Sequence, residues 1–350
     1  RLHSPDQALL DYVQIIQHFQ RKLGCSTDRR ASKNYCPIIT VGASYPGFLS
    51  AMMRLVYPDL VDISYASSAP LLLYAQACDQ FVYYDYVTQV AERASPGCTH
   101  AYKRTLFQVK QEILTMSIPK AAKKLGICSN IPKYIKTPEQ FAFTLTMMAG
   151  FFNAEANMGY HPPGDPNTDL IQGCKAFQQP EKSPMERFAD FFVVKTATRS
   201  WHPREPCYDL HWDLPAGSNA TIVGADWSGL FPPAGRAMIW EFQNCRDLIV
   251  RLGFGPNSMF LEQPLDLGWL RDHCQARFEV DPEPRRLVDK WHFDDLVGHG
   301  GSYILFTNGV NDAWASLSYT QDLSDTIVAV NFPSGAHHSE LNGRLDDDHE

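Results

Sequence analysis

Apolar residues recur at helical spacing near the start of the chain. Leu9, Leu10, Val13, Ile16 and Phe19 follow Ser4-Pro5-Asp6-Gln7, which has a capping serine, a first-turn proline and a glutamine three residues after the cap. This predicts an amphipathic helix of about five turns ending near Gly24. After the polar stretch from Ser26 to Asn34 the pattern changes to a short β-branched run, Pro37 to Val41, of the kind buried in a parallel sheet. Gly42 to Gly47 reads as a tight turn into a second apolar helix, Phe48 to Val56, stopped by Pro58. Val61 to Tyr65 is again strand-like and leads into the small residues Ala66-Ser67-Ser68-Ala69-Pro70. Helix, strand, turn, helix, strand is the alternation of a doubly wound α/β sheet.

From Tyr74 to Gly224 the character is different. Thr105 to Met116 and Phe141 to Phe152 have helical patterning, the second opened by the capping-box sequence Thr137-Pro138-Glu139-Gln140, and no strand alternation is evident. Gly159 to Gln172 and Trp201 to Gly217, rich in Pro, Gly, Asp and His, read as loops. Strand patterning returns at Ser302 to Thr307 and Thr326 to Phe332, each running into a polar, glycine-containing loop. The organisation expected is an α/β part over 1–73, a mostly helical insertion over 74–224, and a second α/β part over 225–350. No internal repeat interrupts it.

Composition narrows the class. With 44% apolar, 12% aromatic and 20% charged residues in 350, a disordered chain is excluded. A formal charge of −8 without a long Lys/Arg run argues against nucleic acid as a partner. The stretch from Phe141 to Phe152 falls short of the ~20 apolar residues a membrane-spanning helix needs, so a soluble protein is expected. Nine cysteines, at 25, 36, 78, 98, 128, 174, 207, 245 and 274, lack the CxxC or His-rich spacing of a zinc site. Neither a metal nor another cofactor is called for. The spread favours disulfides and an oxidising compartment, with an odd cysteine left over. Asn219-Ala220-Thr221 is a glycosylation sequon, marking Asn219 as an acceptor on a secretory route. The chain opens on Arg1 with no signal-peptide pattern, which reads as processing or truncation.

Three loops carry candidate chemistry. Gly42-Ala43-Ser44-Tyr45 falls at the strand-to-helix turn, where a nucleophile elbow would hold the Ser44 hydroxyl at the carboxyl edge of the sheet. A serine hydroxyl is a weak nucleophile until an imidazole takes its proton, and the imidazole needs a carboxylate to fix its tautomer. The first late strand ends in Asn308-Gly309-Val310-Asn311-Asp312, and the second in Pro333-Ser334-Gly335-Ala336-His337-His338. Each piece alone is weak, since a lone loop Asp is usually a solvated turn residue and a His pair is often surface. The order Ser, Asp, His at three strand ends is that of the α/β-hydrolase fold.

The sequence also resembles the prolylcarboxypeptidase-like serine peptidases. The matching stretches are Ser4 to Leu9 with Asp11, Gly42 to Gly47, Tyr57-Pro58, Ala66 to Pro70, Trp240-Glu241-Phe242-Gln243-Asn244-Cys245, Asn308 to Trp314 and Gly335 to His338. The resemblance implies an α/β-hydrolase fold with a large helical cap, with Ser44 as nucleophile, Asp312 as acid and His337 as base. It makes the Tyr45 N–H an oxyanion donor and points to Tyr45, Phe48, Trp314 and Val250 (or Leu248) for an apolar pocket that takes proline. Substrates would be peptides with proline near one end, cut as a Pro-X carboxypeptidase or an X-Pro dipeptidyl aminopeptidase, with the cap restricting the site to chain ends. It further implies a Cys245 to Cys274 disulfide and a secreted or lysosomal location. Cys25 and Cys36, close in sequence, are a separate local candidate pair, and a homodimer stays open.

The chain departs from the family pattern in places. Where the family reads G-G-S-Y-G-G, Ala43 and Pro46 stand here, and a proline disfavours the α region for Tyr45 before it. The family's D-P-W is Asp312-Ala313-Trp314, and its C-T-E is Cys245-Arg246-Asp247. The family's H-R-Y-Y-G-E-S region, which precedes the elbow, has no counterpart. The expectation is a version short at its N-terminus, lacking part of the oxyanion hole and sheet. Two rivals remain: a general α/β-hydrolase esterase, and a catalytically impaired secreted binding protein.

Overall fold

The computed structural model describes residues 4–28, 33–132, 135–162, 167–198, 207–208, 210 and 236–341. Helix α1 (Pro5–Leu23) starts where the Ser4 hydroxyl accepts from the Gln7 N–H, and it ends at Gly24, whose φ of 68° only glycine adopts without strain. Strand β1 (Ile39–Ala43) follows, then α2 (Tyr45–Val56) and β2 (Ile63–Ser67). Between β2 and the next strand every described element is helical: α3 (Leu71–Tyr74), α4 (Val82–Ala94), α5 (Cys98–Leu114), α6 (Ile118–Lys124), α7 (Pro138–Met158), α8 (Asp169–Phe177), α9 (Pro184–Thr198), α10 (Arg236–Arg246), α11 (Leu267–Phe278) and α12 (Arg286–Trp291). The chain then returns to strand in β3 (Ile304–Gly309) and β4 (Ile327–Phe332), each followed by a 3₁₀ turn, Ala313–Leu317 and Ser339–Leu341.

The four strands form one parallel sheet in the order β1-β2-β3-β4, so this is a mixed α/β protein. Register pairs Gly42 with Ala66 and Thr307 with Ser67, which aligns the carboxyl ends of β1, β2 and β3 along one edge. Helix α2 lies on one face: its Ser50 hydroxyl bonds to Thr40 in β1 and, at 2.9 Å, to Ser64 in β2. Below, Arg54 is buried and donates to the carbonyls of Pro58, Val61 and Ser302, tying helix and loops to the start of β3. The opposite face carries Ile39, Val41, Ile63 and Val330, all exposed.

Four disulfides brace the chain: Cys25–Cys36, Cys98–Cys174, Cys128–Cys207 and Cys245–Cys274. Cys78 is a free thiol, and burial pushes its pKa up to about 11. The expected boundary at 224 and the sequon at Asn219 lie outside the described residues. No described helix is long and apolar enough to cross a membrane, and the described residues hold no cluster able to bind a metal ion.

Candidate active site

Ser44 stands between β1 and α2 with φ 57° and ψ −128°, a conformation an L-residue rarely adopts. The bend is held by its own N–H, which donates to Ser67 O at 2.8 Å, and by its carbonyl, which accepts from the Phe48 N–H at 3.2 Å. The turn is tight enough that a Cβ at Gly42 would meet Pro46 O at 2.0 Å and one at Gly47 would meet Ser67 O at 2.7 Å. Only glycine fits at either place. Pro46 falls in the first turn of α2, where its missing N–H has no intrahelical acceptor to lose. Tyr45 is the first residue of that helix, so its N–H is likewise free of the helix ladder. Although Ser44 occupies the N-cap position, its hydroxyl caps nothing.

Asp312 follows β3 and is fully buried. One carboxylate oxygen accepts from the Trp314 N–H at 3.0 Å, and the other accepts from Nδ1–H of His337 at 2.8 Å. That bond fixes the tautomer, leaving Nε2 as the basic nitrogen. The two loops are knitted together. Asn311 donates to the carbonyls of Pro333 and Gly335, and a Cβ at Gly309 would strike Ala336 O at 2.4 Å. After His337, the His338 N–H donates to Ser68 Oγ at 3.0 Å, and Glu340 accepts from Ser67 and Thr307 at 2.5 Å each. These bonds dock the histidine loop on the carboxyl edge of β2 and β3. Burial and the neighbouring His337 lower the pKa of His338 below its ordinary value of 6.5.

Ser44 also lines an aromatic pocket with Tyr45, Tyr74, Tyr83, Trp240, Val250 and Trp314. The Trp314 ring packs 4.8 Å from Tyr83 and 6.0 Å from His337, so the pocket wall lies beside the His337 imidazole. Tyr45 stacks edge-on to Trp240 at 5.1 Å, and burial raises its phenol pKa to about 12, so it stays neutral and acts as an apolar wall with a hydroxyl on Gln243. Phe48, which sequence reasoning puts in the pocket, instead lies in the core against Tyr74, Trp291 and Phe293. Nearly one turn beyond Tyr45, it faces inward and backs the pocket wall through Tyr74. Tyr74, Tyr83 and Trp240 line the pocket without a pattern in the sequence that assigns them to it. The aromatic run Val82-Tyr83-Tyr84-Asp85-Tyr86 and the Trp240 motif were the available signals.

Asp312 and His337 are thus joined directly, and Trp314, whose ring lies 6.0 Å from that of His337, also lines the pocket that holds Ser44. Among the described residues no hydrogen bond links the Ser44 hydroxyl to His337. A parallel sheet with a serine on a strained strand-to-helix turn and a buried Asp–His pair after the later strands has the parts of an α/β serine hydrolase. Comparison with known proteins gives the class its family. The model of the family described as serine carboxypeptidase S28 matches residues 1–350, and the chain belongs to that family of serine-type peptidases. It is 23% identical to the human (Homo sapiens) lysosomal Pro-X carboxypeptidase over 97% of this chain and 63% of that protein. It is 25% identical to the thymus-specific serine protease of Mus musculus over 96% of this chain and 64% of that protein. Prolyl carboxy peptidase like protein 5 of Caenorhabditis elegans is 23% identical over 97% of this chain and 66% of its own length. The chain therefore spans just under two thirds of the curated relatives it matches.

Proposed function

We propose that this chain carries the triad and proline pocket of a serine exopeptidase with an α/β-hydrolase fold, cutting peptides next to proline through an acyl-enzyme. The observation that carries the reading is the 2.8 Å bond from His337 to buried Asp312, beside the Trp314 ring that also lines the Ser44 pocket. In this mechanism Nε2 of His337 takes the Ser44 proton as the hydroxyl attacks the scissile carbonyl, and Asp312 stabilises the imidazolium that forms. The Tyr45 N–H, unclaimed by the helix, donates to the developing oxyanion. Nε2 then gives its proton to the departing amine, and water repeats the sequence on the acyl-enzyme.

Proline at P1 suits walls of Tyr45, Trp314 and Val250, which offer a compact apolar slot without a charge to bury. Relatives named for Pro-X carboxypeptidase activity favour release of the residue after a penultimate proline over removal of an N-terminal dipeptide. The helical stretch between β2 and β3 serves as the cap that excludes long chains from the site. The disulfides and the lysosomal relatives fit a secretory or lysosomal location, where Asn219 would carry a glycan.

The test has two arms. A fluorophosphonate probe is expected to label this chain and not its Ser44→Ala variant. Peptides differing only in Pro or Ala at P1, with free or blocked termini, should show about tenfold or greater preference for Pro, the range that pocket fit supplies. Labelling with turnover of an ester but of neither peptide would favour a general esterase, and equal turnover of both peptides would overturn the proline assignment. Absence of labelling in a folded chain would favour a non-catalytic binding protein.

A further inference from the structure

Helix α7 has two ends with different tasks. Its start is secured by the Thr137 capping box, in which the threonine hydroxyl accepts from the Gln140 N–H and the Gln140 side chain accepts from the Thr137 N–H. Farther along, Phe151 and Ala154 line the same pocket as Ser44. Its last turn reaches the loops that hold the acid and the base. Asn157 is fully buried there; its amide nitrogen donates to Asn311 O at 3.1 Å, and its amide oxygen accepts from the Ala313 N–H at 3.2 Å. Those two peptide groups flank Asp312. The next residue continues the contact: the Met158 carbonyl accepts from the His337 N–H at 3.2 Å, and its sulfur accepts from Trp314 Nε1 at 3.3 Å.

We propose that Asn157 is a positioning residue for the catalytic acid, and that the last turn of α7 is the clamp holding the acid and base loops in register. The proposal rests on the reading of Asp312 and His337 as acid and base. A carboxamide is suited to this place because it offers a donor and an acceptor in one plane and so can satisfy a carbonyl and an N–H on opposite sides of a residue. Leucine, with the same number and branching of side-chain heavy atoms, would leave Asn311 O and the Ala313 N–H buried without partners, and the loop would shift to rehydrate them. The Asp312 carboxylate is aimed at Nδ1 of His337 by that backbone, and displacements of about 1 Å in such constellations cost on the order of a hundredfold in rate. Because α7 also lines the pocket, the same helix that receives substrate sets the acid and base.

The experiment uses this chain with ¹⁵N-labelled histidine. The imidazole N–H shared by His337 and Asp312 should give a far-downfield proton resonance, assigned by its loss in His337→Gln. In Asn157→Leu that resonance is expected to move upfield or broaden away, while kcat on a prolyl peptide falls about tenfold or more and KM stays within about twofold. If Asn157→Leu does not fold, Asn157→Ser, which keeps one polar group and admits water, decides the matter with a smaller shift of the same sign. A folded variant that melts at lower temperature yet keeps the resonance and kcat of the parent would overturn the proposal, since Asn157 would then be packing only. The resonance also separates this inference from the functional reading. If fluorophosphonate fails to label the parent chain, the peptidase reading falls, while the His337 signal still reports whether Asn157 sets the Asp–His pair.

Discussion

Two serines in this chain occupy the same kind of position and behave in opposite ways. Ser4 has an extended backbone and its hydroxyl caps α1, whereas Ser44 has φ 57° and its hydroxyl caps nothing. The first arrangement stabilises a helix; the second forgoes the cap and holds a strained backbone, at a cost on the order of 1–3 kcal/mol, and leaves its hydroxyl uncommitted to the helix. That difference is the physical reason to read Ser44 as functional, and it makes a prediction at the scale of one residue. Ser44→Gly, free of the steric penalty at positive φ, should raise stability by about 1 kcal/mol in denaturant titration, and it should abolish fluorophosphonate labelling. Ser44→Ala should abolish labelling without that gain, because a Cβ remains. Equal stability of the two variants would mean the elbow stores no strain at this residue.

At the scale of elements, the helices between β2 and β3 are stapled as well as packed. Cys98 begins α5 and Cys174 lies in α8, 76 residues later, and both are fully buried beside Tyr102, Phe177 and Phe191. A cross-link closing a loop of that size removes about 4 kcal/mol of unfolded-chain entropy, so the Cys98→Ala, Cys174→Ala double variant should lose about 2–5 kcal/mol by thermal or denaturant melting. A loss below about 1 kcal/mol would show that residual structure already holds the two helices together in the unfolded chain. Neither this bridge nor Cys128–Cys207 is legible in the sequence, because spacing alone leaves the partner of a cysteine open. The same contrast runs through the rest of the fold. Helices α1 and α7 were legible from cap chemistry and apolar spacing, and α7 runs past the expected Phe152 to Met158, which is what lets Asn157 reach the loop after β3. Strands β1, β3 and β4 were legible to within about two residues. β2 runs on through Ala66 and Ser67, which read as turn residues. They are small because the elbow crosses above them, with Gly47 pressed on Ser67 O. α4 was hidden by its aromatic run, and α11 by a sequence with charged residues on all sides, in which tertiary burial of Leu270, His273 and Cys274 overrides local pattern. The three catalytic candidates stood out because each sits where a strand pattern breaks into a loop. The Asn157 clamp did not, since a lone asparagine inside an apolar helix carries no sign of what it faces.

At the scale of the whole molecule, the sheet is asymmetric. Parallel sheets are ordinarily buried on both faces, and here α2 covers one while the other presents Ile39 at 57% exposure, Val41 at 62%, Ile63 at 44% and Val330 at 44%. Register places these side chains together, since Ile39 pairs with Ile63, and Val41 and Tyr65 continue across to Leu305 and Val328. Among the described residues β1 is in addition an edge strand, with no strand paired to its outer side, so a contiguous apolar face borders an open sheet edge. Such a surface promotes self-association in water. The formal charge of −8 opposes it only diffusely, through a field screened within about 8 Å at physiological salt. Replacing Ile39 and Val41 by glutamate puts two further negative charges on the patch itself, where they act at contact distance. The double variant should scatter less light at concentrations on the order of 100 μM while melting within about 1 kcal/mol of the parent, because side chains this exposed contribute little packing. A large loss of stability would mean that both residues are covered in the folded protein in solution. Unchanged scattering in a stable variant would place the association, if any, on another surface.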